Sequence, residues 1–140
     1  MSFISRRTVA VLATTLVGAA LALPGAASAR TVTFKMTEYA SKPAAPPDFV
    51  VKSADCKVRG TLGRGRCHSR TTPPTSKGGW KFSNGTISYV FKTTLTGTVA
   101  SGRGHFTGGT GKYRGIRGTF TVRGDITGKF PFVFKGTARY

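Results

Sequence analysis

Acidic side chains are nearly absent from this chain. Its 140 residues carry four Asp and Glu against 22 Lys and Arg, a formal net charge of +18, and Glu38 is the single glutamate. Two-metal hydrolases and EF-hands, which need several carboxylates, are excluded. A glycosidase would have to find its catalytic pair among Glu38, Asp48, Asp55 and Asp125. Cysteine is equally scarce. Cys56 and Cys67 have no CxxC spacing, and His68 and His105 are the only histidines that could join them, so a structural zinc site is excluded. No window sustains a 3.6-residue apolar period, because Gly and Thr interrupt every stretch long enough to be a helix. The length allows one domain.

Positions 1–29 have the layout of a cleaved export signal. Arg6 and Arg7 precede an uncharged stretch from Thr8, and Ala27-Ser28-Ala29 forms a small-x-small processing site. Pro24, Gly25 and that site argue against a membrane anchor, so the mature chain, residues 30–140, is expected to have no transmembrane segment and to be secreted. Ser5-Arg6-Arg7 opens a twin-arginine signal, but Thr8-Val9-Ala10 completes it poorly, which favours the general secretory route. Removing this segment takes away two arginines and leaves a net charge of +16. In an exported chain the lone cysteine pair is expected to form a disulfide, Cys56 to Cys67.

What the mature chain has in abundance is period-2 alternation. Val32, Phe34, Met36 and Glu38 share one face of a first strand, opposite Thr31, Thr33, Lys35 and Thr37. Phe120, Val122, Gly124 and Ile126 form a second such face, with Asp125 on the wet side. Phe130, Phe132, Phe134, Gly136 and Ala138 form a third. Asn84-Gly85, between Trp80-Lys81-Phe82 and Ile87–Phe91, reads as a hairpin turn. Gly108-Gly109-Thr110-Gly111 reads as a second turn and not as a phosphate loop, since Phe106 stands where the Walker spacing needs glycine. Gly-Thr pairs at 85, 97 and 109 recur every twelve residues, the strand spacing of an antiparallel barrel or sandwich. Residues 42–48 and 69–79, rich in proline and glycine, read as loops.

Glu38 is the most informative side chain. On the apolar face its carboxyl would have a raised pKa suited to acid or base work; at the strand end it would instead sit at a rim, paired with Lys or Arg. The basic residues form two groups, Lys57, Arg59, Arg64, Arg66 and Arg70 near the cysteines, and Arg103, Lys112, Arg114, Arg117 and Arg123 near the glycine-rich segment. Such a field attracts polyanions without specificity. The aromatics do not interleave with these arginines as they would in a single-strand-binding platform.

The stretch Thr107-Gly108-Gly109-Thr110-Gly111-Lys112-Tyr113-Arg114-Gly115-Ile116-Arg117-Gly118-Thr119-Phe120, followed by Phe130-Pro131-Phe132-Val133-Phe134-Lys135-Gly136, resembles the C-terminal half of the allene oxide cyclase and dirigent superfamily over about residues 80–140. The resemblance implies an eight-stranded antiparallel, calycin-like β-barrel with an apolar interior. It also implies catalytic roles for Glu38 and Pro47, which occupy places comparable to the cyclases' glutamate and loop proline. Ala40 stands where the cyclases carry an accompanying asparagine, which turns the reading from turnover towards binding.

The expected protein is therefore a secreted binding or scaffold barrel. Phe34, Met36, Tyr89, Phe91, Phe120, Val122, Phe132 and Phe134 would surround a small apolar ligand or fill the interior themselves. The alternatives are an isomerase using Glu38 and a polyanion-binding surface protein using Arg59, Arg64, Arg66, Arg103, Arg114 and Arg117. No cofactor and no metal are expected, and association into homo-oligomers is left open.

Overall fold

The structure, a computed structural model, describes residues 28–44 and 46–140. The export signal read in the sequence lies outside the described residues except for Ser28 and Ala29. Among the described residues nine strands follow in order: β1 (Thr31–Ala40), β2 (Phe49–Val51), β3 (Cys56–Gly60), β4 (Gly63–Thr72), β5 (Thr75–Phe82), β6 (Gly85–Thr96), β7 (Val99–Gly111), β8 (Arg117–Asp125) and β9 (Phe132–Arg139). A single 3-10 turn, Ser53–Asp55, separates β2 from β3. No helix among the described residues is long and apolar enough to cross a membrane.

Every pairing is antiparallel, and the ladder runs β3-β1-β9-β8-β7-β6-β5, with β3 and β5 both paired to β4. The sheet thus closes on itself as an eight-stranded barrel without free edges. β2 lies outside this count. It shares one edge of β4 with β3, pairing Phe49–Val51 with Thr71–Ser69 while β3 pairs Lys57–Gly60 with Arg66–Gly63.

Alternation sends one face of each strand inward. In β1 Phe34, Met36 and Glu38 are buried, and in β8 Phe120, Val122 and Gly124 are buried. In β9 the inward face begins at Phe132, not at Phe130, which is exposed in the preceding loop with the Arg123 guanidinium over its ring. The interior is largely aromatic. Phe34, Trp80, Tyr89, Phe106, Phe120 and Phe134 meet with ring centroids between 5.1 and 6.3 Å apart, tilted or edge-on, the arrangements that ring quadrupoles favour.

The two ends of the barrel differ. At one end Leu62 of the β3–β4 turn and Tyr113 and Ile116 of the β7–β8 connection are buried with Phe82 and form a plug. The Tyr113 hydroxyl donates to the Leu62 carbonyl, tying two connections together across the end. At the other end long connections, residues 41–44 with 46–48 and residues 126–131, leave a mouth.

Three local readings are corrected. Residues 69–79 are not a loop: β4 runs to Thr72 and β5 starts at Thr75, with Pro73 and Pro74 alone at the corner. Gly78 is paired within β5 to Ser69 and Tyr89, and glycine stands there because a Cβ would come within 2.6 Å of the Tyr89 hydroxyl. Gly108–Gly111 are likewise the end of β7, and the chain turns after them, at 112–116. Thr107 is the extra residue of a bulge, since Tyr89 pairs with Phe106 and Ser88 with Gly108. Finally, the β5–β6 turn is centred on Ser83 and Asn84, with Gly85 already paired to Phe82.

Candidate functional site

Glu38 is the last inward residue of β1, and its neighbours across the ladders are Val58 on β3 and Phe132 on β9. It is 6% exposed and makes no ion pair among the described residues; the reading that pairs it with Lys or Arg at the rim is overturned. The barrel's curvature brings β5 and β6 across to meet it. Trp80 Nε1 donates to Oε1 at 2.6 Å and the Tyr89 hydroxyl donates to the same oxygen at 2.8 Å. These donors reach Glu38 from strands more than 40 residues away in sequence.

The disulfide completes the enclosure. Cys56 and Cys67 face each other at the position where the β3–β4 ladder ends, with Cα atoms 5.1 Å apart. Both are buried, and a Glu38 carboxylate oxygen and the two sulfurs lie within 4.8 Å of one another. That cluster is no metal centre, because both sulfurs are committed to the disulfide and neither offers a thiolate. Burial among sulfur and aromatic rings pushes the Glu38 carboxyl up from its ordinary 4.5 to about 7, against the opposing pull of the Trp80 and Tyr89 hydrogen bonds. Burial, and then the neighbouring Glu38 charge, pushes the Tyr89 hydroxyl well above its usual range.

Above Glu38 lies a cavity of about 150 Å³ that opens through the mouth. Its inner wall includes Glu38, Tyr89, Phe91, Phe132, Phe134 and Cys56. Both donated hydrogen bonds fall on Oε1, and no buried side-chain polar atom among the described residues lacks a partner, so Oε2 is the oxygen open to the cavity. A second polar spot is Thr71, whose hydroxyl lies 2.6 Å from that of Ser76; Ser76 in turn bonds the Thr93 hydroxyl. Lys42 and Lys129 border the opening, and Asp125 holds the β8–β9 loop by accepting from Thr127 and Thr98. Asp125 is thus buried by its own turn and not on the wet face of β8.

The residues anticipated from sequence divide accordingly. Tyr89, Phe91, Phe132 and Phe134 line the cavity, while Phe34, Met36, Phe120 and Val122 are buried outside its lining and fill the barrel. Pro47 is exposed in the β1–β2 connection and does not line the cavity. Arg59, Arg64, Arg66, Arg103, Arg114 and Arg117 are all exposed. Trp80 belongs to the site although the sequence marks it only as part of the strand before the Asn84-Gly85 turn; its alternation with Phe82, also buried, is the signal that finds it. The sequence implies the disulfide, but not its place against Glu38.

Compared with known proteins, the chain matches no family model, no curated protein and no solved structure.

Proposed function

We propose that the protein is an exported ligand-binding barrel without turnover, related to the allene oxide cyclase and dirigent superfamily. Its cavity takes a small apolar molecule, and Glu38 Oε2 receives a hydrogen bond from that molecule's polar group. The observation that carries this reading is the use of both nearby donors. Trp80 and Tyr89 are spent on Glu38 Oε1, so neither of the two donors beside the carboxyl is free to stabilise charge developing on a substrate, the largest requirement of most enzymatic proton transfers. The cavity, about 150 Å³, suits one ring or a short branched chain, with any remainder of the ligand in the mouth.

A second reading, isomerase chemistry at Glu38, draws on the carboxyl's pKa of about 7, which leaves it half-ionised at neutral pH and able to move a proton. Mass spectrometry of small molecules carried through purification identifies the natural ligand. Trp80, the single tryptophan, reports occupancy by fluorescence, and cyclohexanol and methylcyclohexane serve as probes with and without a donor. Saturable binding of cyclohexanol, at least ~10-fold tighter than of methylcyclohexane and lost in Glu38→Leu, is expected from the worth of a hydrogen bond to a charged group. Absence of saturable binding by either probe overturns the ligand-barrel reading. An isomerisation that stops in Glu38→Gln would replace binding with catalysis.

A further inference from the structure

The outer wall of the barrel places like charges face to face. Across five strands the outward side chains form one row: Lys35 stands opposite Lys135, Lys135 opposite Thr121, Thr121 opposite Arg103, and Arg103 opposite Lys92. Lys35–Lys135 and Arg103–Lys92 are direct cross-strand pairs of the same sign, a placement that costs stability. All four cations are exposed.

No acid reaches this row. Glu38 is inside the barrel, Asp125 caps its own turn, Asp55 pairs with Lys42 at 3.3 Å, and Asp48 accepts from Thr72. One step further along the strands Arg123 stands opposite Val133 and Ser101. Lys35, Arg103, Arg123 and Lys135, with Ser101 and Thr121 between them, line an open groove of about 650 Å³ walled on one side by Phe130 and Pro131. Arg123 lies over the Phe130 ring at 5.9 Å, at the edge of this groove.

Repulsion that the fold leaves unrelieved is relieved by a bound anion, and the row indicates its shape. The cations sit one or two strand spacings apart, ~5 or ~10 Å, and the row from Lys35 to Lys92 spans ~19 Å around the wall. A small anion meets one or two of them; an extended chain with an anionic group on each unit or every second unit meets all four. The hydroxyls of Ser101 and Thr121 between the cations suit the hydroxyls of a sugar. Bases would find no aromatic platform along the row, and no projecting helix or ribbon among the described residues enters a duplex groove. A lipid surface would need a broad apolar face. Here Phe130, Pro131 and Val133 form one side of a groove that also holds four cations, and the exposed Tyr39, Val50 and Leu95 lie apart from it on β1, β2 and β6.

We propose that this groove binds a linear acidic polysaccharide lying across β1, β9, β8 and β7, the strands that line it, and running on towards Lys92 on the neighbouring β6. A shorter row, Lys57, Arg66 and Lys81 on β3, β4 and β5, repeats the like-charge pairing, but the groove does not extend to it, and it supplies the control.

The test measures binding of labelled heparin and alginate oligosaccharides to the full chain over a salt series. One variant combines Lys35→Gln, Arg103→Gln, Arg123→Gln and Lys135→Gln; the control combines Lys57→Gln, Arg64→Gln, Arg66→Gln and Lys81→Gln, with the same loss of charge. The groove variant is expected to bind at least one of the polysaccharides more than ~10-fold more weakly at physiological salt and with a shallower salt slope, while the control changes by less than ~3-fold. Both remove like-charge repulsion, so thermal melting midpoints at or above that of the parent confirm folding. Equal losses in the two variants overturn the proposal. So does an absence of binding to either polysaccharide, or tighter binding of duplex DNA or of phosphatidylglycerol vesicles.

Discussion

Glu38 holds a carboxyl whose neutral form the fold prefers. Its pKa is about 7 in the folded protein against 4.5 ordinarily, so between those values the folded state binds more proton than the unfolded one. Stability therefore falls as pH rises from about 4.5 to about 7 and is level above, with about 3 kcal/mol at stake. Glu38→Gln, which keeps an acceptor for Trp80 and Tyr89, is expected to flatten this dependence and to be more stable than the parent at pH 8 by up to ~3 kcal/mol. Denaturant titrations at pH 5 and pH 8 measure it; parallel pH curves for the two proteins would contradict the buried-acid account. Trp80 fluorescence should titrate with the same midpoint near 7, and Tyr89→Phe, by removing a bond that favours the ionised form, should shift that midpoint towards alkaline pH. The site was partly legible at this scale, since alternation from Val32 placed Glu38 inward. Trp80 and Tyr89 were not legible as its partners, because contacts between β1, β5 and β6 depend on how the sheet closes.

Individual elements are secured at the two ends of the barrel by different means. Near the mouth, the disulfide closes a short loop, with its cysteines 11 positions apart. Chain entropy gives such a loop about 2–3 kcal/mol. Replacing both cysteines by serine should lower stability by about that amount in urea unfolding, and should also alter the Trp80 fluorescence titration, because the sulfurs help to bury Glu38. At the plugged end, Tyr113→Phe leaves the Leu62 carbonyl without its donor, at an expected cost of ~1–3 kcal/mol. A cost below the error of the measurement would mean that the plug rests on ring packing alone. Strands β1, β8 and β9 were readable from alternation because buried apolar side chains alternate there with exposed polar ones. β4 and the ends of β5 and β7 were not, because their inward positions hold glycine. Gly78 and Gly65 give space to aromatic rings and to backbone from neighbouring strands, a demand that exists only in the assembled sheet.

For the whole molecule, closure of the sheet separates two chemistries, an aromatic interior with one protonatable acid and an exterior of unanswered positive charge. The one ion pair among the described residues is Lys42–Asp55. Added salt screens the exterior repulsion over ~10 Å at 0.1 M, so the melting midpoint should rise between 10 mM and 300 mM sodium chloride. A falling midpoint would show that the surface charges are net attractive. This response should be smaller in the groove variant, which lacks four of the charges responsible.

The residue pattern determined the class of the fold, the cysteine pairing and the excess of positive charge, because alternation, cysteine number and acid content act locally or additively along a chain. Only the closed barrel decided which inward residues fill space and which leave a cavity. Closure also set Trp80, Tyr89 and the disulfide around Glu38, and it aligned Lys35, Lys135, Arg103 and Lys92 in one row. Register across the ladders fixes those neighbours, and the β4–β5 pairing that completes the ring brings β5 and β6 round to Glu38.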